Sequence, residues 1–184
     1  IDKHSIFAFN VQLSGLGGKI FRSRQELVNN INNTITGIYQ EISKSNEKIE
    51  LRYLSGFSSD GYETKLLKAL EDFNQDIIRG HTLHGPHRDD FNIFINNSEF
   101  SEIASRGETR TFVLALKLIE ARIIEDTINK LPILLLDDVF GELDQRRRNT
   151  LTNKIKNYQS FITTTDADVV IKHFDKSSNI IITE

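Results

Sequence analysis

The 184-residue chain contains no cysteine, no methionine and no tryptophan, and only two prolines. Without cysteine there is no disulfide and no thiolate to act as nucleophile or soft metal ligand, a composition that suits a reducing, cytoplasmic setting. No apolar run approaches the length that crosses a bilayer, and no charged-then-apolar leader opens the sequence. A large excess of either charge is missing too. The 23 basic and 26 acidic residues leave a formal net charge of −3, which advertises neither a nucleic-acid nor a membrane partner. The lack of methionine extends to the first position, Ile1, so the chain is expected to be a piece of a longer protein. What remains is an apolar fraction of 38%, enough for a sizeable core and against wholesale disorder.

From about Ser5 to Ser45 the text reads as helix. Leu27, Ile31, Ile35, Ile38 and Ile42 recur at spacings of four, four, three and four, which puts them on one stripe. Unbroken, such a helix would be roughly 60 Å long; Gly15, Gly17 and Gly18 are where a break is expected. One apolar stripe on a long polar helix needs a partner, so a helical hairpin or coiled-coil arm is the simplest account. Ile49, Leu51 and Tyr53 then alternate as a half-buried strand. Leu66, Leu67, Leu70, Phe73 and Ile77 give an amphipathic helix stopped by Gly80. Phe91, Ile93 and Ile95 alternate again, followed by a hairpin turn at Asn96-Asn97. The change of style near Arg79 suggests a helical arm segment over 1–78 and a head segment over 79–184. The latter reads as a long helix from Gly107 to Asn129, a strand, a helix capped by Asp144, a strand at 160–164, a short helix and a last strand through 180–182. Alternation of this kind makes half of a doubly wound, mostly parallel α/β sheet.

The chemistry concentrates at the end of the strand that follows the long helix. Leu131-Pro132-Ile133-Leu134-Leu135-Leu136 is an apolar run of the sort a strand covered on both faces requires, and it stops at Asp137-Asp138. Carboxylates at the carboxyl end of such a strand lie where open α/β sheets bind ligands, and they suit Mg²⁺ and a polarised water. Three polar clusters accompany them. Ser105-Arg106-Gly107-Glu108 opens the long helix, where free N–H groups favour an anion, although for the tetrapeptide in isolation an ordinary helix cap is the better account. Gly141-Glu142-Leu143-Asp144 forms the turn after the strand, and Thr163-Thr164-Thr165-Asp166 ends the next strand. His81, His84 and His87 fall three apart, but their proline-containing context does not recreate a zinc-binding helix face. Arg146-Arg147-Arg148 reads as a solvated face more than a phosphate contact. No G-x-x-x-x-G-K-[ST] loop occurs; the only Gly-Lys pair, Gly18-Lys19, is followed by Ile20 inside a helical pattern.

Taken in order, these segments resemble the catalytic half of an ABC-type ATPase head, and in wording the RecF family of bacterial DNA-repair proteins, relatives of the SMC proteins. The matching text is Gly85-Pro86-His87-Arg88-Asp89-Asp90, Ala104 to Glu108 with Arg110-Thr111, Leu114 to Leu118, Pro132 to Asp138, Glu142 to Asp144, and Phe161 to Asp166. It covers nearly everything from Thr82 to Val170, and the helix before it is similar to one strand of the family's arm. The resemblance implies that Asp137 is the Walker B acid holding Mg²⁺ through water and that Asp138 orients the attacking water. An Asp in that place suits slow turnover. Ser105, Arg106, Gly107 and Glu108 match the signature motif that contacts the γ-phosphate of ATP held by a second subunit. Leu143 and Asp144 match the D-loop at the dimer interface, Gly141 replaces a more usual Ser, and Thr165 takes the place of a switch His. The missing phosphate loop lies before the arm in the family, in agreement with a carboxyl-terminal piece. By resemblance the whole protein binds ATP, dimerises head to head, binds single-stranded or gapped DNA and works with RecO- and RecR-type mediators to load a recombinase. Another ABC- or SMC-type head, or a non-catalytic DNA-binding or scaffold module, remains open at this point.

Overall fold

The computed structural model describes residues 3–72, 74–141, 143–165, 179 and 181. In chain order the elements are α1 Lys3–Asn32, α2 Ile35–Ser43, β1 Ile49–Leu54, α3 Tyr62–Glu71, α4 Asn74–Arg79, β2 Asp90–Ile95, β3 Ser98–Glu99, α5 Phe100–Ile103, α6 Arg106–Ile128, β4 Leu134–Asp137, α7 Gln145–Ile155 and β5 Ser160–Thr163. They form two compact units, Ile1–Thr34 with Lys48–Ile103, and Ile35–Glu47 with Ala104–Glu184. The boundary expected near Arg79 therefore falls inside the first unit. The reason is strand pairing: β1 and β2 lie on opposite sides of Arg79 in sequence and form one antiparallel ladder, Ile49 opposite Ile95 and Leu51 opposite Ile93.

In the first unit α1 runs unbroken past its glycines. A Cβ on Gly17 would come within 2.7 Å of Leu66 Cδ2, so a bare backbone here lets α3 approach closely. The helix ends instead at Asn32, whose side-chain amide behaves as a strand neighbour. Its Oδ1 accepts from Leu51 N–H and its Nδ2 donates to Leu51 C=O, both at 2.8 Å. That ending splits the apolar stripe, because Ile31 stays with the first unit while Ile35, Ile38 and Ile42 are buried in the second. Phe21, Tyr62, Leu66 and Leu70 make the core, with the Phe21 and Tyr62 rings stacked at 4.5 Å. The helix expected through Phe73 is two helices, α3 and α4, and Phe73 itself lies outside the described residues. Asn96 and Asn97 both take positive φ, 50° and 71°, as the hairpin joining β2 to β3 requires.

In the second unit α2 packs on both α6 and α7. Ile35, Tyr39 and Ile42 from α2, Phe112, Ala115 and Ile119 from α6, and Leu151 and Ile155 from α7 are buried. β4 and β5 pair in parallel, Leu134 opposite Ser160 and Asp137 opposite Thr163. The expectation of a strand buried on both faces is not met: burial alternates along β4, and Leu135 is 77% exposed. Among the described residues only β5 pairs with β4. The helix and strand expected after Asp166 lie outside the described residues. No described helix is long and apolar enough to cross a membrane.

Candidate functional site

The residues singled out by sequence gather in the second unit as two polar clusters. The first sits where β4 and β5 end. Parallel register sets Asp137 beside Thr163, and the Thr163 hydroxyl donates to Asp137 Oδ1 at 2.5 Å. The same hydroxyl accepts from the Asp138 N–H at 3.1 Å, and that N–H also reaches Thr163 C=O at 3.2 Å. Asp138 has φ 48°, a left-handed backbone that Asp tolerates better than most residues, and this turns the chain sharply out of the strand. Its carboxylate leans over the following turn, so a Cβ on Gly141 would stand 2.9 Å from Asp138 Oδ1. Glycine at 141 thus makes room for the second acid. Thr165 lies just beyond β5 and is exposed, while Glu142 and Asp166 are outside the described residues.

These donors fit Mg²⁺ rather than a soft metal. Mg²⁺ is commonly held by one or two carboxylates, with waters and substrate phosphates completing an octahedron, and dedicated protein cages are not required. Asp137 is exposed at a strand end with one oxygen fixed by Thr163, which is the arrangement such partial coordination uses.

The second cluster joins the starts of α6 and α7. Ser105 is the N-cap of α6: its hydroxyl accepts from Glu108 N–H at 3.3 Å, and Glu108 Oε2 accepts from Ser105 N–H at 2.6 Å. This reciprocal capping box turns the Glu108 carboxylate back onto the helix end. The Ser105 hydroxyl and N–H hold the Glu108 carboxyl below its usual range, with the Arg147 charge assisting. Arg106 is exposed and Gly107 half-buried. Asp144 caps α7, accepting from Arg147 N–H at 3.0 Å, and its other oxygen lies 3.3 Å from Arg147 Nη1. Leu143 is buried, so its side chain anchors the turn from within while Asp144 stays outside.

Two residues with evident roles were not singled out by sequence. Thr163 was seen only as part of a polar strand end; its contact with Asp137 depends on register, which no local pattern gives. Arg147 was read as part of a solvated face, yet Arg147 and Arg148 are partly buried and only Arg146 is exposed. The segment from Gly85 to Asp90, to which sequence assigned no role, is a buttress within the first unit. Pro86–Arg88 form a tight 3-10 turn, Arg24 donates to Pro86 C=O, and the Tyr53 hydroxyl donates to Asp89 Oδ2 at 2.5 Å. Burial and that carboxylate push the Tyr53 phenol up to about 12. Of the histidines, His87 bonds Thr82 C=O at 2.8 Å and His84 lies against the Phe57 ring.

No protein-family model matches the chain. Against whole proteins the similarity is extensive. The DNA replication and repair protein RecF of Clostridium perfringens is 34% identical over 182 residues, which is 98% of this chain and 50% of that protein. Its counterpart in Agathobacter rectalis is 36% identical over 165 residues, 90% of this chain and 45% of that protein. A solved structure of the recombination mediator protein RecF–ATP of the RecFOR pathway superposes with a TM-score of 0.78 at 33% identity, covering 91% of this chain and 47% of that one. A second RecF structure, with an ATP analogue, gives 0.77 at the same identity. The chain spans about half the length of the relatives it matches. Its α/β fold, with a parallel β4–β5 pair flanked by helices, is shared with these structures over nearly its full extent, and the chain belongs to the RecF family.

Proposed function

We propose that this chain is the part of a RecF-type ATPase that carries the hydrolytic carboxylates and the surface facing a second subunit's nucleotide. The observation that carries the reading is the Asp137–Thr163–Asp138 arrangement at the carboxyl ends of two parallel strands. In this reading Asp137 would hold Mg²⁺, and Asp138 accepts a proton from the attacking water as general base. Mg²⁺·ATP, when bound, supplies the phosphoanhydride to be cleaved and positive charge on its oxygens. The start of α6 offers the N–H groups of Arg106 and Gly107 and the positive end of a 23-residue helix to a γ-phosphate. Glu108 does not oppose this, since its charge is engaged by the cap. Leu143 and Asp144 form the D-loop and Thr165 the switch position.

The phosphate-cradling loop is absent from the 184 residues, so ATP cannot be gripped by this chain alone. The full activity therefore belongs to a RecF-length protein. It would form an ATP-dependent homodimer in the cytoplasm, bind single-stranded or gapped DNA and cooperate with RecO- and RecR-type mediators. The similarity to RecF structures of the RecFOR pathway supports this wider reading.

Asp138→Asn in the RecF-length protein tests it. Nucleotide binding should survive, because Asp137 remains, while hydrolysis falls by about 10²–10⁴-fold for loss of a general base. Dimers should accumulate in ATP. Near-normal turnover, measured as phosphate release, would show that another residue positions the water.

A further inference from the structure

Arg147 is held in a way that a solvent-facing arginine is not. Its side chain keeps 24% of its exposure, and Nη1 lies 3.3 Å from Asp144 Oδ2. The two terminal nitrogens also stand over the bare face of Gly107, 3.4 and 4.0 Å from where a Cβ would be. Its Nε is buried with no hydrogen-bond partner. Partial burial of a guanidinium with an unpaired donor is unfavourable by itself, so the surrounding structure must hold it in place. What it spans is informative: Asp144 opens α7 and Gly107 lies in the first turn of α6, two helices that both pack on α2. The planar fork of arginine can engage a carboxylate with one nitrogen and lie against a flat backbone with the rest, which an ammonium cannot do.

We infer that Arg147 is a positioning residue that ties the Asp144 turn to the Ser105–Gly107 turn, so that both are presented to a second subunit's nucleotide in one fixed geometry. The inference rests on the proposed reading of those two turns as the subunit-facing surface. The bare backbone at Gly107 lets the guanidinium lie over this turn, at a distance where a Cβ would make ordinary van der Waals contact with it. The Arg147 charge also faces Glu108 and Tyr39 at this corner, so its removal would leave the buried side of both turns without its shared cation.

The test compares Arg147→Ala, Arg147→Lys and Ser105→Arg in the RecF-length protein. Sedimentation in a slowly hydrolysed ATP analogue reads dimerisation; a fluorescent nucleotide reads single-subunit affinity, and thermal melting reads folding. Arg147→Ala should leave single-subunit affinity unchanged and raise the protein concentration for half-dimerisation about tenfold, within the usual range of coupling between sites. Arg147→Lys should melt as the parent does and recover only part of that loss, since it keeps the charge but not the fork. Should the alanine variant fail to fold, the lysine variant alone decides. A lysine variant that dimerises at parental concentrations overturns the strut, provided Ser105→Arg still blocks dimerisation. If Ser105→Arg also dimerises normally, the reading of the α6 start has failed and the inference falls with it.

Discussion

Thr163 uses a single hydroxyl to bond both acids of the candidate site, donating to the Asp137 carboxylate and accepting from the Asp138 N–H. A metal ligand whose second oxygen is pinned in this way offers its first oxygen in one direction, and loss of such support typically costs about 10–100-fold in metal affinity or activity. Thr163→Val keeps the shape and removes the hydroxyl. In the RecF-length protein it should raise the Mg²⁺ concentration needed for half-maximal hydrolysis by at least about tenfold, whereas Thr163→Ser should stay close to the parent. A valine variant with parental Mg²⁺ dependence would show that Asp137 needs no such support. At this scale the sequence was legible where chemistry coincided with pattern. Asp137 and Asp138 stood out because they end an apolar run, and Asp144 because it precedes a helix. Thr163 and Arg147 did not, since one role depends on strand register and the other on partial burial within a run of three arginines.

Helix α1 carries a comparison that separates packing from propensity. Replacing glycine by alanine inside a helix gains about 1 kcal/mol. At Gly17 the new methyl meets Leu66, which is buried and cannot step aside, and overpacking a filled core typically costs about 1–3 kcal/mol. At Gly18 the obstacle is the end of Glu63, a half-exposed, flexible side chain paired with Arg22, which can swing away. Gly17→Ala should therefore lower the midpoint of denaturant unfolding, while Gly18→Ala leaves it unchanged or raises it. Equal effects at both positions would mean that α1 and α3 approach less closely than described. The elements themselves were largely readable, including α6 from Arg106 to Ile128, α7 behind its Asp144 cap and the Asn96-Asn97 hairpin. Their grouping was not. The stripe from Leu27 to Ile42 is continuous in period, yet it is shared between two units because Asn32 binds the edge of β1 and ends the helix there.

For the whole molecule, the exposed apolar side chains of β4 and the phosphate loop missing from the sequence point the same way. An apolar cleft of about 440 Å³ runs between α6 and β4, lined by Val113, Leu114, Ile124, Ile133 and Leu135 among others. Leu135 and Phe161 are exposed on strands whose run of leucines suits burial on both faces. Exposed apolar surface of this kind is typical of interaction sites, and the relatives are about twice as long. In the proposed reading Asp137 and Asp138 are present without the loop that would grip the β- and γ-phosphates, and neither half of such a site is useful alone. The purified 184-residue chain should accordingly show no measurable ATP binding by calorimetry and no phosphate release. Co-expression with the portion of the Clostridium perfringens RecF that this chain does not match, which supplies a complementary half by homology, should restore nucleotide binding if the halves associate. Robust ATPase activity from the chain alone, abolished by Asp138→Asn and so not a contaminant, would mean that phosphate is held by residues outside any known cradle, and that the chain does not depend on a complementary half.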